Sequence, residues 1–471
     1  MQTRFETLSP VDNSVFLCRE YANDTEIEQA LQRACDAQAE WQQLALPQRA
    51  AYCLKMLDSV SAASADIARE LCWMMGRPIS QGAGEVSGFI ERARYMISIA
   101  EQALAPTELA DSPQQRRYIR HRPLGNCLLI APWNYPYLTT VNTLIPALMA
   151  GNTVLLKPSS QTPLCAERLA GAFRQAGLPD GVFQYLYLDH QQSLALAADS
   201  RIDHISFTGS NAGGDAIEHA LAGQFKSLTL ELGGKDPAYV RPDADLDLAV
   251  ASVLEGAFYN SGQSCCAIER LYLHKDICQA FIDRAVAAAY HYQPGRPDHP
   301  DTVLGPMVNA RAAQRVRAQA ADALAKGGVA LLDSARFSAD QPGSAYLAPQ
   351  LIAHADHSMT LMTEETFGPL LGIMQVADDD EAIRLMNDSD YGLTAALYSR
   401  DIDSAVNIGN RLHCGTLFLI RCDYLDPALA WSGTKGSGRG CSLSSLGYQQ
   451  LTRPQSYNLN GPPRVTPENE P

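Results

Sequence analysis

The sequence lacks an excess of positive charge and lacks any long hydrophobic run. Lys and Arg number 37 against 52 Asp and Glu, a formal net charge of −15, and so acidic a chain repels nucleic-acid backbones and anionic membranes. No stretch approaches the roughly 18 consecutive apolar residues of a transmembrane helix, and the opening MQTRFETLSP has no apolar signal segment. We therefore predict a cytoplasmic protein without nucleic-acid or membrane partners.

Paired cysteine motifs are also missing. The 12 cysteines stand at positions 18, 35, 53, 72, 127, 165, 265, 266, 278, 414, 422 and 441, without the short paired spacings of a zinc site or a secreted disulfide framework. We predict no metal site, a reducing compartment and, for most of these thiols, burial as small hydrophobic side chains. The adjacent pair Cys265 and Cys266 is considered separately below.

What the sequence does contain is ordinary globular composition, with 46% hydrophobic and 19% charged residues over 471 positions. At roughly 150 residues per domain, this length predicts about three structural units. The first hundred residues have a mostly helical pattern. From Asp24 to Trp41, apolar residues recur at helical spacing after the cap candidates Asp24 and Thr25.

Between about 126 and 235, short β-rich runs alternate with helical segments, which predicts a parallel, doubly wound α/β sheet. The predicted strands are 127–130, 153–156, 182–186, 204–207 and 227–232. One intervening helix has Thr162 as its predicted N-cap, Pro163 in its first turn and Gly177 as its stop.

A second alternating region, from about 265 to 440, predicts another α/β domain. Its strand candidates are 271–273, 370–375, 393–398 and 415–419. The segment after Ser456 is polar and rich in proline, a composition typical of disorder.

Unusual residues follow the predicted strands, and open α/β sheets bind ligands beyond the carboxyl ends of their strands. Asn134 lies in an aromatic, proline-rich turn, and Lys157 ends a strand. The turn from Gly209 to Gly214 can present backbone amides to a phosphate. Because the G-x-G-x-x-G spacing of the common Rossmann motif is absent, an ordinary structural turn explains that segment equally well.

Cys265 follows a polar loop that contains Gly262. A nucleophilic cysteine needs access and a lowered pKa, and loops that end at helix N-termini supply both. Taken alone, the loop is also compatible with a buried, inert thiol. Similarly, the acidic pair Glu364 and Glu365 is compatible with a solvated surface.

Taken together and in order, these segments resemble the aldehyde dehydrogenase superfamily from about residue 24 to residue 457. The motifs are PWNYP at 132–136, KPSS at 157–160, FTGS at 207–210, ELGGK at 231–235, GQSC at 262–265 and EETFGP at 364–369. The resemblance implies an NAD(P)-dependent aldehyde dehydrogenase. It implies a Rossmann-like cofactor domain, a second α/β catalytic domain and a small β oligomerisation arm.

The resemblance also assigns site residues by position. Cys265, rather than Cys266, matches the nucleophile; the Asn134 amide and the Cys265 backbone N–H match the oxyanion hole. Glu231 matches the general base that activates water for hydrolysis of the thioester. The positions that match the site for NAD or NADP are Trp133, Lys157, Ser160, Gly209, Ser210, Gly214, Leu232, Glu365 and Phe367.

Two departures from the family pattern concern specificity. Ser160 stands where many NAD-preferring members have a glutamate that would repel a 2′-phosphate, so NADP should at least be tolerated. Asn142 stands where succinate semialdehyde dehydrogenases usually have an arginine for the substrate carboxylate, which favours neutral aliphatic or aromatic aldehydes. An acid semialdehyde, paired with Arg421 or Arg270, stays the alternative substrate.

The predicted substrate tunnel is aromatic, although plain packing explains its residues equally well. They are Tyr135, Tyr137 and Trp431. A third departure is Ile420, where many members have asparagine, and the sequence AWSG at 430–433 replaces the usual PFGG. These last features resemble a bacterial, benzaldehyde-dehydrogenase-like subgroup.

Three other functions compete with hydrolytic oxidation. A CoA-acylating enzyme would commonly lack the glutamate matched by Glu231. A catalytically silent structural homologue would tolerate Ile420, but it would not need an intact Asn134, Glu231 and Cys265. A cofactor-free cysteine hydrolase would leave Lys157 without a role.

The resemblance implies the division of the chain and its assembly. Residues 1–105 and 126–233 are expected to form the cofactor-binding domain, and 234–446 the catalytic domain. Residues 106–125 and 447–471 are expected to form the oligomerisation arm and tail of a homodimer or homotetramer. The expected small-molecule partner is an aldehyde.

Overall fold

A computed structural model describes residues 3–110 and 114–461 of the chain. Its helices are α1 Asp24–Trp41, α2 Leu46–Ala62, α3 Ser64–Met75, α4 Ile79–Ala103, α5 Pro136–Ala150, α6 Leu164–Ala176, α7 His190–Ala198, α8 Asn211–Ala220, α9 Leu246–Phe258, α10 Cys278–Ala289, α11 Ala310–Ala325, α12 Thr360–Thr363, α13 Asp379–Asn387, α14 Ile402–Gly409 and α15 Ser444–Gln450. Within the described ranges, no helix is long and apolar enough to cross a membrane.

The strands form three larger sheets and two two-stranded sheets, β1-β2 and β15-β18. They are β1 Arg4–Leu8, β2 Val15–Glu20, β3 Thr107–Glu108, β4 Gln115–Pro123, β5 Asn126–Ile130, β6 Thr153–Lys157, β7 Phe183–Tyr185, β8 His204–Thr208, β9 Ser227–Glu231, β10 Asp236–Val240, β11 Ile268–His274, β12 Val329–Ala330, β13 Gln350–Ala353, β14 Leu370–Val376, β15 Tyr391–Gly392, β16 Thr394–Tyr398, β17 Thr416–Leu419, β18 Thr434–Lys435, β19 Gly438–Arg439 and β20 Thr452–Asn460.

The first large sheet has the strand order β19-β9-β8-β5-β6-β7. The strands from β9 to β7 are parallel, and β19 joins the edge antiparallel to β9. Cys127 and Leu129 of β5 pack into the core on one face, while Leu128 and Ile130 pack into the core on the other. Because both faces are covered, β5 reads as one continuous apolar run, and the doubly wound fold predicted from the sequence is confirmed.

The second large sheet has the order β12-β13-β14-β11-β10-β16-β17. Its strands are parallel except at β12, which pairs antiparallel with β13. Two separate apolar cores cover its faces. The second predicted α/β region therefore exists, and β11 extends beyond the predicted strand 271–273 at both ends.

The third sheet has the order β20-β4-β3. β20 runs antiparallel along the whole of β4, from Thr452 opposite Pro123 to Asn460 opposite Gln115. The disorder predicted after Ser456 is therefore wrong as far as Asn460, because β4 supplies the backbone partners of this stretch. Residues 111–113 of the predicted arm and 462–471 of the predicted tail lie outside the described residues.

Two predicted helix starts are displaced. Asn23, rather than Asp24 or Thr25, caps α1: its side chain accepts from the Glu26 N–H and the Glu26 carboxylate accepts in return. Pro163 occupies the cap position of α6, and the Thr162 hydroxyl is buried without a hydrogen-bond partner. The predicted stop of α6 is confirmed, since Gly177 has φ 79°.

A buried ion pair connects helix α4 to the first turn of helix α5. Glu85 of α4 pairs with Arg77 and also accepts from the N–H groups of Tyr137 and Leu138, at 2.9 and 3.1 Å, in the first turn of α5. Both side chains of the pair are at most 1% exposed. Breaking such a pair leaves an uncompensated charge away from water.

The substitution Glu85→Gln tests how much stability depends on this pair. It keeps the size of the side chain but leaves the Arg77 guanidinium without its counter-charge, so we expect the free energy of unfolding to fall by about 3–5 kcal/mol. The measurement is a urea unfolding curve. The control is Asp247→Asn, which removes an exposed pair with Arg284 and should cost less than about 1 kcal/mol. Equal losses in the two variants would contradict the assigned role.

Candidate active site

A cavity of about 500 Å³ lies where α4, α5 and α9 meet the carboxyl ends of β8 and β9 and the loop before β11. Cys265, Glu231, Tyr135 and Trp431 all line it. These residues are far apart in sequence, and the fold brings them to one space. Among the described residues, no cluster of three His, Cys, Asp or Glu side chains is arranged to hold a metal ion.

The loop that presents Cys265 begins with a left-handed turn. Asn260, Ser261 and Gly262 have φ of 51°, 58° and 69°. A Cβ on Gly262 would come within 2.4 Å of the Gly368 carbonyl oxygen, so this position requires glycine. Cys265 then lies in the turn that enters strand β11. Cys265 therefore precedes a strand and does not lie at a helix N-terminus.

The Asn134 side chain is tied to this loop. Its Nδ2 donates to the Gln263 carbonyl oxygen at 3.2 Å, two residues before Cys265. Gln263 is itself fixed, because its Oε1 accepts from the Val308 N–H at 2.8 Å and its Nε2 donates to the Asn260 carbonyl oxygen at 3.1 Å. One N–H of the amide is thus committed to the loop. Asn134 is 5% exposed and lies behind the residues that line the cavity, of which it is not one.

The two adjacent thiols have different surroundings. Cys265 is partly exposed in the cavity, whereas Cys266 is 2% exposed. The Cys266 thiol donates to the Asp423 carboxylate at 2.8 Å, and the Ser264 hydroxyl donates to the same oxygen at 3.2 Å. Burial raises the pKa of Asp423 to about 6, and the hydrogen bond with Cys265, burial and the Asp423 charge raise the pKa of Cys266. Cys266 is therefore a protonated donor at neutral pH.

Glu231 ends β9 with its carboxylate on the cavity wall. Thr208 at the end of β8 donates its hydroxyl to one carboxylate oxygen at 3.1 Å, and Ser442 donates to the other at 2.5 Å. Burial raises the pKa of Glu231, while the two hydroxyls and the positive charge of Arg92 oppose that rise. The carboxylate is thus held at both oxygens.

Arg92 is a buried cation on the same cavity. It lies two turns after Glu85 on α4, hence on the same face, and its Nη1 donates to the Leu138 carbonyl oxygen at 2.9 Å and to the Asn142 side-chain oxygen at 3.2 Å. Both acceptors are neutral. Burial lowers the pKa of Arg92 from the usual arginine value, while the charges of Glu85, Asp423 and Glu231 oppose that decrease.

Two of the three predicted tunnel residues line the cavity. Tyr135 and Trp431 do so. Tyr137 instead points into the core: it is 1% exposed and packs edge-to-face on Phe89 with ring centroids 6.1 Å apart. Its position as the second residue of α5, turned towards α4, takes it away from the cavity, so the predicted tunnel role of Tyr137 does not fit its placement.

The two alternative arginines differ in the same way. Arg270 is 1% exposed, is absent from the cavity wall and donates to backbone carbonyl oxygens, including those of Lys235 and Met386. Arg421 lies on the cavity wall, with its guanidinium 3.6 Å from the centroid of the Tyr424 ring. Ile420 beside it also lines the cavity and has φ 57°, which β-branched residues rarely adopt.

The predicted cofactor residues from the first sheet lie at the ends of adjacent strands. In the register of the sheet, Ile130 pairs with Lys157 on one side and with Phe207 on the other. Lys157 and the turn that follows Phe207 are therefore at the same edge of the sheet. Ser160, three residues beyond Lys157, is exposed.

Glycine shapes the first turn of α8. The Ser210 hydroxyl accepts from the Gly213 N–H at 3.3 Å. A Cβ on Gly209 or on Gly213 would come within 2.7 or 2.6 Å of the Phe207 ring, so the turn closes over this ring only with glycine at both positions. Gly214 is buried against Leu232 in the same way. A helix start of this kind, at the carboxyl edge of a parallel sheet, suits a pyrophosphate.

The predicted residues for the nicotinamide end of the cofactor also lie together. The Glu365 carboxylate accepts from the Gly234 N–H at 3.2 Å, and Trp133 packs edge-to-face on Phe367 with centroids 5.7 Å apart. Burial and the nearby Glu269 raise the pKa of Glu365 to about 7. Gly234, which donates to Glu365, lies three residues after Glu231 along the chain, and this connects the group to the cavity.

Several polar residues of the site were not predicted. Arg92, Thr208, Ser442 and Asp423 come from four separate segments. Thr208 lies in the motif at 207–210 but was not assigned a role, and the other three belong to none of the motifs. The pair Glu85 and Arg92, with one charge of each sign at a spacing of two helical turns, is a signal that could have indicated a polar helix face.

Comparisons with known proteins agree with this geometry. A model of the aldehyde dehydrogenase family matches residues 1–457. An NADP(+) succinate-semialdehyde dehydrogenase of Mycobacterium bovis is 33% identical over 94% of this chain and 97% of its own. The NAD(P)+ succinate semialdehyde dehydrogenase Sad of Escherichia coli strain K12 is 32% identical over 96% of each chain.

A solved structure gives the same result. PnpE from Pseudomonas sp. WBC-3, in complex with nicotinamide adenine dinucleotide, is 28% identical with a TM-score of 0.92 over 99% of this chain and 96% of its own. The fold, the family motifs and these similarities lead to one conclusion: the chain belongs to the aldehyde dehydrogenase family.

Proposed function

We propose that this protein oxidises an aldehyde to a carboxylic acid through a thioester on Cys265, with NAD(P) as the hydride acceptor and water as the final nucleophile. One observation carries the proposal: the Cys265 thiol and the Glu231 carboxylate line the same cavity, and the Asn134 amide is bonded to the loop that bears the thiol. A nucleophile, a base and an amide donor are the groups that this acyl chemistry requires.

In the first step, the Cys265 thiolate attacks the aldehyde carbon and the carbonyl oxygen becomes an oxyanion. The side-chain amide of Asn134 and the backbone N–H of Cys265 donate to this oxyanion. A bound nicotinamide ring supplies the chemistry of accepting the hydride that leaves the same carbon. Glu231 then takes a proton from water as the water oxygen attacks the thioester, and the C–S bond breaks to release the Cys265 thiolate.

The residues of the cofactor region fit NAD(P). Lys157 at a strand end suits ribose hydroxyls, the first turn of α8 suits the pyrophosphate, and Glu365 beside Phe367 suits the nicotinamide ribose. Ser160 presents no carboxylate to a 2′-phosphate. Two relatives are named for NADP(+) or NAD(P)+ use, which supports NADP as an accepted cofactor.

For the substrate we propose an aldehyde that carries a carboxylate at its far end. The sequence favoured neutral aldehydes because Asn142 replaces an arginine. Arg92 reaches the same place from α4, bonds the Asn142 side chain and has only neutral partners in the part of the chain that the structure describes. A buried guanidinium on the cavity wall whose hydrogen-bond partners are neutral suits an anionic ligand, and the names of the relatives, both succinate semialdehyde dehydrogenases, support this choice.

We also propose the domain division given by the sequence, with the three-stranded sheet as the assembly arm. The six-stranded sheet and the helices α1–α4 support a cofactor domain at 1–105 and 126–233. The seven-stranded sheet supports a catalytic domain at 234–446. Along β4 and β20 most side chains are at least partly exposed, which is compatible with a contact between copies of the chain in a homodimer or homotetramer.

The nucleophile is tested by replacing each thiol. Cys265→Ala should reduce kcat at least about 10⁴-fold while NAD(P) binding, followed by quenching of tryptophan fluorescence, persists. The matched control, Cys266→Ala, removes one hydrogen bond to Asp423 and should change kcat by no more than about tenfold. Near-normal turnover by Cys265→Ala would contradict the assignment.

Cofactor choice is tested at Ser160. We expect the wild-type protein to use NADP, and Ser160→Glu to shift the ratio of kcat/KM towards NAD by about ten- to a hundredfold, because the new carboxylate repels the 2′-phosphate. The measurement is initial rates with both cofactors. A wild-type preference for NAD above about a hundredfold, or ~2.7 kcal/mol, would contradict tolerance of NADP.

Substrate choice is tested with two aldehydes of equal length, succinate semialdehyde and butanal. Arg92→Met should lower kcat/KM for succinate semialdehyde by about ten- to a hundredfold, chiefly through KM, since a charge-assisted hydrogen bond is worth ~1.5–3 kcal/mol. The value for butanal should change less than about threefold. The control is Arg421→Met, which removes another cation from the wall of the same cavity. If the wild-type protein prefers butanal, the neutral-aldehyde interpretation replaces this one.

A further inference from the structure

Ser442 lies in a strained segment between β19 and α15. Leu443 and Ser444 have φ of 60° and 49°, a conformation that residues other than glycine rarely adopt. Leu443 is fully buried, so packing holds the strain in place. The Ser442 backbone exchanges two hydrogen bonds with Trp431, at 2.8 and 2.9 Å. The direction of the Ser442 side chain is therefore fixed by its surroundings.

This side chain reaches the candidate base. The Ser442 hydroxyl donates to Glu231 at 2.5 Å, and Thr208 donates to the other carboxylate oxygen at 3.1 Å from the opposite side. β19 brings the segment to this place, since Gly438 pairs with Glu231 across the sheet edge. The Glu231 carboxylate thus accepts hydrogen bonds from two hydroxyls that come from separate parts of the chain.

Besides the two hydroxyls, nearby titratable groups affect the charge of the Glu231 carboxylate. Arg92 on α4 is the cation that acts on Glu231. Burial and, after it, the Glu231 charge raise the pKa of the Cys441 thiol, next to Ser442, to about 11. The other titratable groups on the cavity wall are Arg77, Glu85, Glu91, Tyr135, Glu255, Tyr259, Cys265, Cys266, Arg421, Cys422, Asp423 and Tyr424. Hydroxyl donors stabilise the ionised form of a carboxylate and oppose the effect of burial.

We propose that Ser442 is the positioning residue for the base, holding the Glu231 carboxylate ionised and turned towards the thioester so that it can take a proton from water. This inference rests on the proposed role of Glu231. It assigns to Ser442 a task in hydrolysis, and none of the sequence motifs contains this residue.

The chemical consequence follows from the balance of the hydrolytic step. Water adds its oxygen to the thioester carbon, its proton moves to Glu231, and the C–S electron pair returns to Cys265. Only ionised Glu231 accepts that proton. Without the Ser442 hydroxyl, burial is less opposed and the pKa of Glu231 rises, so the step slows on the acid side and recovers as the pH rises.

The experiment measures decay of the acyl-enzyme between pH 5.5 and 9. Enzyme with NAD(P) is mixed with limiting aldehyde, samples are acid-quenched at timed intervals, and intact mass gives the fraction acylated. We expect Ser442→Ala to slow decay at pH 6 by about three- to tenfold and to move the pH midpoint up by about half to one unit. Ser442→Thr, which keeps the hydroxyl, should restore most of the rate.

Three further variants separate positioning from general damage. Ser444→Ala removes a neighbouring hydroxyl that accepts only from the Leu446 N–H and should leave the profile unchanged. Glu231→Gln should slow decay at every pH, and adding Ser442→Ala to it should slow decay no further. An additional loss in that double variant, or an unshifted midpoint in Ser442→Ala, would overturn the inference alone. Normal decay in Glu231→Gln would overturn the proposed base and, with it, the role of Ser442.

Discussion

The buried ion pair of Arg77 and Glu85 is the interaction on which the candidate site depends. Glu85 accepts from two N–H groups in the first turn of α5. Arg77 donates to the Asn134 carbonyl oxygen and, at 3.3 Å, to the Asn260 side-chain oxygen. One pair therefore fixes the residue that carries the amide and the left-handed turn that precedes Cys265. Because both charges are out of water, each is compensated only while all these partners keep their places.

The same constraint explains why the cavity can hold polar groups at defined angles. Asn134, Gln263 and Asn260 bond one another around the loop, and Thr208 with Ser442 hold Glu231 from two sides. Each buried polar atom in this set satisfies another, so that a change in one alters the orientation of the next. Arg92 differs from them, since its bonded partners are neutral and its charge remains directed at the cavity.

The spacing of apolar residues, together with the residues that start and stop helices, was sufficient to predict the sheets, because buried parallel strands are short apolar runs between helices. Asn134, Glu231 and Cys265 were found through family motifs, and the fold brings their segments together. The errors have physical causes. Thr162 was expected as a cap because caps are local, but its hydroxyl is buried beside Pro163. Tyr137 was expected in the tunnel with Tyr135 and Trp431, but its position in the first turn of α5 directs its side chain into the core against Phe89.

Arg92 could not be identified from the sequence, because its meaning depends on which residue of α5 it meets. In the chain it is 50 residues from Asn142, and only the close packing of α4 against α5 brings the two together. Gly88 permits that approach, since a Cβ there would come within 2.7 Å of Leu138. The segment 420–423 is a similar case. Its positive φ at Ile420 and Asp423 is imposed by its place on the cavity rather than by local preference.

The neighbouring thiols Cys265 and Cys266 have a practical consequence for chemical labelling. The first is open to the cavity, while the second is buried and donates a hydrogen bond to Asp423. An alkylating reagent should therefore discriminate between two sulfurs that are adjacent in the sequence. A tryptic peptide modified only at Cys265 indicates that the catalytic loop was folded when the reagent was present. Modification at both cysteines indicates that the loop was not folded.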